Sequence, residues 1–179
     1  MENLGKAIFE HYEKYLGEML GADSYPELNL QLMGYQDAVQ NCLTFATMGL
    51  SLQEKTLDTC CEAVLTTGED FDACADIFVS ALQFILKAGI PMGQGLAING
   101  LPEDFVKAHH KTAVYFTEAT MFTPAFRNVG DQCHMYMAIF LTPEEEEYLH
   151  KHGAGKLEEL LEAEKADIID LNRKSVCPA

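Results

Sequence analysis

The residues able to do chemistry in this 179-residue chain fall into a few clusters, each of which can be tested for the partners its chemistry needs. Glu147 and His150 form an ExxH pair, which on a helix puts two metal ligands on one face. Di-iron bundles need a second ExxH and two further glutamates, and no second copy is present, so the pair reads as solvated helix surface. His150 and His152 diverge on a helix, His109-His110 are adjacent, and Cys133-His134 is an isolated pair rather than a zinc knuckle. Gly95 and Gly100 have phosphate-loop spacing, but Leu101-Pro102 stands where Lys and Ser/Thr would grip phosphate and magnesium. Gly93-Gln-Gly95 lacks the third glycine of a dinucleotide fingerprint. Ser24, Ser51, Ser80 and Ser175 sit in no GxSxG elbow, and no pattern joins a cysteine to His and Asn/Asp. The expectation is therefore no catalytic residue, no metal and no cofactor. The alternative is a cytosolic enzyme whose site is assembled from distant residues, with the His/Glu groups as candidates.

The charge balance narrows the partners. Twelve Lys plus Arg against 28 Asp plus Glu give a net charge of -16, which repels nucleic-acid phosphates and anionic lipid surfaces. Such acidity serves solubility, or it speeds the encounter with a basic protein. No apolar run approaches the roughly 20 residues of a membrane helix, and Met1-Glu-Asn-Leu-Gly-Lys lacks the basic-then-apolar order of a secretory signal. A soluble, cytoplasmic protein is expected. The six cysteines make no CxxC pair, and four lie within apolar segments, so they read as buried free thiols. Cys177, third from the end, does not fit a prenylation box.

The elements that must position these groups follow from periodicity. Leu4, Ala7, Ile8, Tyr12, Tyr15, Leu16, Met19 and Leu20 predict a helix over 3–20 that stops at Gly21. Leu28, Leu30 and Leu32 alternate with polar neighbours up to Gly34, predicting a strand. Short runs at Cys42–Leu50 and Leu57–Leu65 predict two more, in an antiparallel meander. Asp70 is placed as the cap of a central helix whose stripe runs from Phe71 to Leu86 before Gly89 and Pro91. Residues 91–102 read as a turn-rich connector, 112–117 as a weaker strand and 121–131 as an irregular loop.

The last quarter carries the strongest local signals. Met135–Leu141 reads as an apolar strand, and Thr142-Pro143-Glu144-Glu145 supplies N-cap hydroxyl, Pro at N1 and Glu at N3, a capping box. Glu144, Glu145 and Glu146 are offered as an exposed acidic patch for a partner, beside their role in offsetting the helix dipole. Gly153 ends that helix, Leu157, Leu160 and Leu161 mark another to about Lys165, and Ile168-Ile169 suggest a final strand. Asp170-Leu-Asn172-Arg173-Lys-Ser175 could bind an anion or tie the C-terminal segment to the fold. The tie is favoured, because Arg173 offers a planar fork suited to a buried carboxylate.

Three blocks together resemble the suppressor-of-fused family: Thr44-Phe-Ala-Thr-Met-Gly-Leu-Ser51, Ile139-Phe-Leu-Thr-Pro-Glu-Glu-Glu-Glu-Tyr148 and Asp170-Leu-Asn-Arg-Lys-Ser175. The resemblance spans about residues 25–176 and is loosest over 89–131. It implies a single domain over 1–179 of α+β class, with a mixed, largely antiparallel β-sheet and packed α-helices. It also implies binding rather than catalysis. Animal members sequester a transcription factor with this domain and a second one, so their inter-domain groove does not carry over. The single-domain bacterial type implies an immunity protein that neutralises a toxin domain by contact, and the acidity suits a basic toxin. A regulatory scaffold for another protein is the remaining reading.

Overall fold

A computed structural model describes residues 3–36 and 38–177. The first helix, α1 (Leu4–Leu16), starts where the Asn3 side chain accepts from the Gly5 N–H at 3.1 Å, and buries Ile8, Tyr12 and Leu16. It ends four residues earlier than its apolar period suggests. Gly17, at φ +90°, breaks it, a conformation costly for any residue with a Cβ. Met19 and Leu20 therefore belong to β1 (Met19–Tyr25), an edge strand with five consecutive exposed residues and hence no alternation to read.

The chain then winds antiparallel through β2 (Leu30–Gln36) and β3 (Leu43–Met48). Tight turns and α2 (Glu54–Leu57) follow, and then β4 (Cys61–Thr67), every residue of which is buried. The meander expected from the sequence is present, with four strands rather than three. Leu57 lies in α2, not in a strand, and it is fully buried there.

After α3 (Phe71–Ala88) come β5 (Leu96–Asn99), α4 (Glu103–His109), β6 (Ala113–Glu118) and the two-residue β7 (Asn128–Val129). Next are β8 (Cys133–Leu141), α5 (Pro143–His152) and α6 (Ala154–Ala163). Both β5 and α4 lie in or just after the stretch read as a connector, and Ile168-Ile169 form a turn instead of a strand. Asp70 does not cap α3 with its side chain: it sits at φ +47° and its carboxylate holds the His109 ring at 2.5 Å.

The sheet order is β1-β2-β3-β4-β8-β6-β5, with β7 also on β8. Only β4–β8 is parallel among these pairs. The two strands of that pair are covered on both faces, which is where parallel pairing is favoured. One face packs Cys61, Ala63, Leu65, Val114, Phe116 and Phe140 against the α3 stripe. The other packs Val64, Tyr115, Met135, Met137 and Ile139 against α1, α5 and α6. The result is an α+β architecture with a mixed, mostly antiparallel sheet between two helical layers.

Candidate partner-binding site

β5 ends the sheet, and no described strand pairs with its outer side. Beside it runs a groove of about 590 Å³, walled on one side by Ile77, Ala81 and Phe84 of α3 and on the other by Leu96–Pro102. The volume lies within the usual range for a bound group. The helix stripe explains the groove's apolar wall. Ile77, Ala81 and Ile85 point into the core, while Phe84, one step round the helix, stays 55% exposed. An unpaired edge strand next to an exposed aromatic ring and apolar walls has the physical requirements for accepting an extended polypeptide: backbone donors and acceptors along the strand, and pockets for alternate side chains. Asp76 lines the groove, and exposed Glu103 and Asp104 follow directly after Pro102, so the rim carries negative charge.

The acidic patch expected at the start of α5 is dissolved by the tertiary structure. Glu145 is 0% exposed. Its Oε2 accepts the Thr142 N–H at 3.1 Å, completing the capping box. Arg173 donates to both carboxylate oxygens, at 2.5 and 2.8 Å, and the Val176 N–H adds a fourth bond at 3.1 Å. Glu146 accepts from Thr112 Oγ1 at 2.8 Å and Asn99 Nδ2 at 3.1 Å. Of the three, Glu144 alone is exposed, and its carboxyl is held below the usual range chiefly by a hydrogen bond with His110 at 3.0 Å. The run therefore offers a partner one exposed carboxylate, and that one already bonds to His110. Glu147 pairs with Lys151 at 2.6 Å instead of joining His150. Among the described residues, no group of three or more His, Cys, Asp or Glu side chains is placed to hold a metal ion.

Two buried carboxylates organise the scaffold, and sequence reasoning found one of their two partnerships. Arg173 is the C-terminal tie expected from its fork, and it also donates to the Phe140 carbonyl at 3.1 Å. Fully buried Lys111 donates to the Arg173 carbonyl at 2.9 Å; burial, and then the neighbouring guanidinium, lower its pKa. Glu62 went unread because a lone Glu in the strand run Cys61-Glu-Ala-Val-Leu65 carries no motif. It is wholly buried, with Thr47 Oγ1 and the Gly49, Leu50 and Ser51 N–H groups donating to it at 2.7, 2.9, 3.3 and 3.1 Å. The signal for it was the Thr47-x-Gly49-x-Ser51 turn, whose N–H groups need an acceptor.

The sequence profile of the suppressor of fused protein matches residues 25–174. The chain belongs to the suppressor of fused family. A crystal structure of a putative suppressor of fused homolog from Neisseria gonorrhoeae FA 1090 is similar to it, with a TM-score of 0.77 over 98% of this chain and 97% of that one. At 11% identity this likeness speaks to the fold alone. No match was found among curated proteins. Membership of the suppressor of fused family is consistent with a domain that acts by binding other proteins. All three blocks that carried the resemblance contribute to the buried carboxylate networks: the turn that holds Glu62 lies at Thr44–Ser51, and Glu145 meets Arg173 across the other two. The blocks thus mark the scaffold, while the β5 wall of the groove falls in the stretch where the resemblance is loosest. Among the described residues, no helix is long and apolar enough to cross a membrane.

Proposed function

We propose that this suppressor of fused domain is an immunity-type module that works in the cytoplasm, neutralising a basic toxin domain by seating one of its extended segments along β5. The observation that carries the reading is the open edge strand beside a groove bearing exposed Phe84. The module acts by occupancy, not by turnover. Backbone pairing with β5 supplies affinity, Phe84 supplies an apolar anchor, and the charge of -16 accelerates the approach of a cationic partner.

The test is capture of a partner from the native cell at low and high salt. A basic protein retained at low salt and released by salt is the expected result. Phe84→Asp should weaken capture by about tenfold or more, with the melting temperature of the free domain essentially unchanged because the ring is exposed. Neutralising Asp76, Glu103 and Asp104 together should slow association at low salt and leave dissociation nearly unaffected. A partner captured equally well by Phe84→Asp would move the site off this groove. Capture that salt does not weaken would remove the basic partner from the proposal.

A further inference from the structure

On the opposite face of the sheet from the β5 groove lies a second cavity of about 600 Å³, between β6, β8 and the end of α6. Its lining differs in kind, because it gathers charged and hydroxyl groups around an apolar floor. The chain has two arginines. Arg173 is held by Glu145, whereas Arg127, which lines this cavity, forms no ion pair among the described residues, and its buried Nε has no hydrogen-bond partner. A half-buried guanidinium with a buried, unpartnered Nε and no ion pair, in so acidic a protein, is the anomaly to be explained. Its backbone is fixed: the Arg127 carbonyl accepts from the Met135 N–H at 2.8 Å, so the side chain projects from an anchored position.

The cavity also holds the opposite charge. Glu158 accepts from Tyr115 Oη at 2.8 Å and Thr117 Oγ1 at 2.6 Å on one oxygen, and from Gln94 Nε2 at 2.5 Å on the other. Three neutral donors orient this carboxylate, and among the described residues no cation pairs with it. Its negative charge beside the phenol contributes, after burial, to raising the Tyr115 pKa. Glu162 and Glu118 also line the cavity; Glu118 lies 3.1 Å from His134 Nε2, and Lys165 adds a second cation on an exposed residue. Met137, Ile139 and Leu161 contribute apolar surface.

We infer that this cavity binds a small amino carboxylate, with its carboxylate on the Arg127 fork, its ammonium at Glu158 and an apolar side chain against Met137 and Leu161. A guanidinium matches a carboxylate bidentately, and a pre-oriented carboxylate matches an ammonium. A phosphate-rich ligand is disfavoured by the three glutamates. The site is independent of the β5 groove and of the protein partner proposed for it.

The test is calorimetric titration of the intact chain with leucine and methionine, and with two single-headed analogues of leucine, 4-methylpentanoate and 3-methylbutylamine. Inorganic phosphate serves as the anion control. Saturable binding of leucine or methionine is expected, with each single-headed analogue weaker by about tenfold or more and no binding of phosphate. Arg127→Met and Glu158→Gln should each weaken binding by a similar factor, with the unliganded melting temperature measured alongside. The analogue comparison needs no variant, so it decides the matter even if a substitution impairs folding. Neither amino acid binding at millimolar concentration, an analogue binding as tightly as leucine, or phosphate binding equally well would each overturn the assignment.

Discussion

Arg173→Met is expected to lower the stability of the domain by about 3–5 kcal/mol, the usual cost of removing one partner from a buried ion pair. The side chains of Arg173 and Glu145 are 6% and 0% exposed, so water cannot replace the lost fork. The substitution leaves a buried carboxylate with two N–H donors, from Thr142 and Val176, and no cation bonded to it. It also leaves the Phe140 carbonyl without its Arg173 donor, and Lys111 shares the site, so the damage spreads to the β8–α5 junction and the α4–β6 connection. For a domain of this size the melting temperature should fall by about 10 °C. Chemical and thermal denaturation of Arg173→Met, Glu145→Gln and the double variant check this. The double variant should lose less than the sum of the single losses, because the two side chains act as one unit. A loss under about 1 kcal/mol for Arg173→Met would mean the pair behaves like a solvated surface bridge.

Glu62→Gln is expected to cost about 3 kcal/mol although it changes almost no volume. Each oxygen of Glu62 accepts two donors: Oε1 from the Gly49 and Ser51 N–H groups, Oε2 from Thr47 Oγ1 and the Leu50 N–H. A glutamine must put an NH₂ where one oxygen stood, setting donor against donor in a site closed to water. The turn packs so closely on its neighbour that only glycine fits at its centre: a Cβ on Gly49 would stand 2.3 Å from the Asn29 carbonyl oxygen. The backbone there also needs φ +129°.

This residue has a pH signature as well. Burial raises the Glu62 pKa, and the hydrogen bonds from Thr47, Gly49 and Ser51 only partly offset it. In the window between its unfolded and folded values the folded chain binds more protons. The stability contributed by that difference is present in full below the unfolded value and is lost as pH rises through the folded one. Stability measured against pH should therefore show a downward step above the ordinary carboxylate range that Glu62→Gln removes. An unchanged profile in the variant would assign the step elsewhere.

How much of this was legible depended on whether the cause was local. Thr142-Pro143-x-Glu145 wrote its own helix start, because a cap is made by atoms three residues apart. The stripe of α3 and the apolar run of β8 were equally readable, each being fixed by burial of a face. β1 was missed because an edge strand exposed on both sides has no apolar period, and Met19 and Leu20 happen to continue the helical one. β5 was missed because four residues between glycines give too short a pattern, and its identity as a strand rests on pairing with β6. Asp70 looked like a cap, but His109, 39 residues away, takes its carboxylate.

The candidate sites divide in the same way. The acidic run at Glu144–Glu146 was visible as composition, yet exposure is decided by what packs on it, and Arg173 buried the middle residue. The β5 groove and the Arg127 cavity have no motif, since each is assembled from elements far apart in sequence. By itself the sequence determined the charge, the helix and strand signals set by near neighbours, and the blocks that carry the family resemblance. The tertiary structure alone decided which carboxylates are buried and which edge strand lies beside an apolar groove. It also decided which arginine has a partner, because burial and pairing are properties of groups brought together across the whole chain.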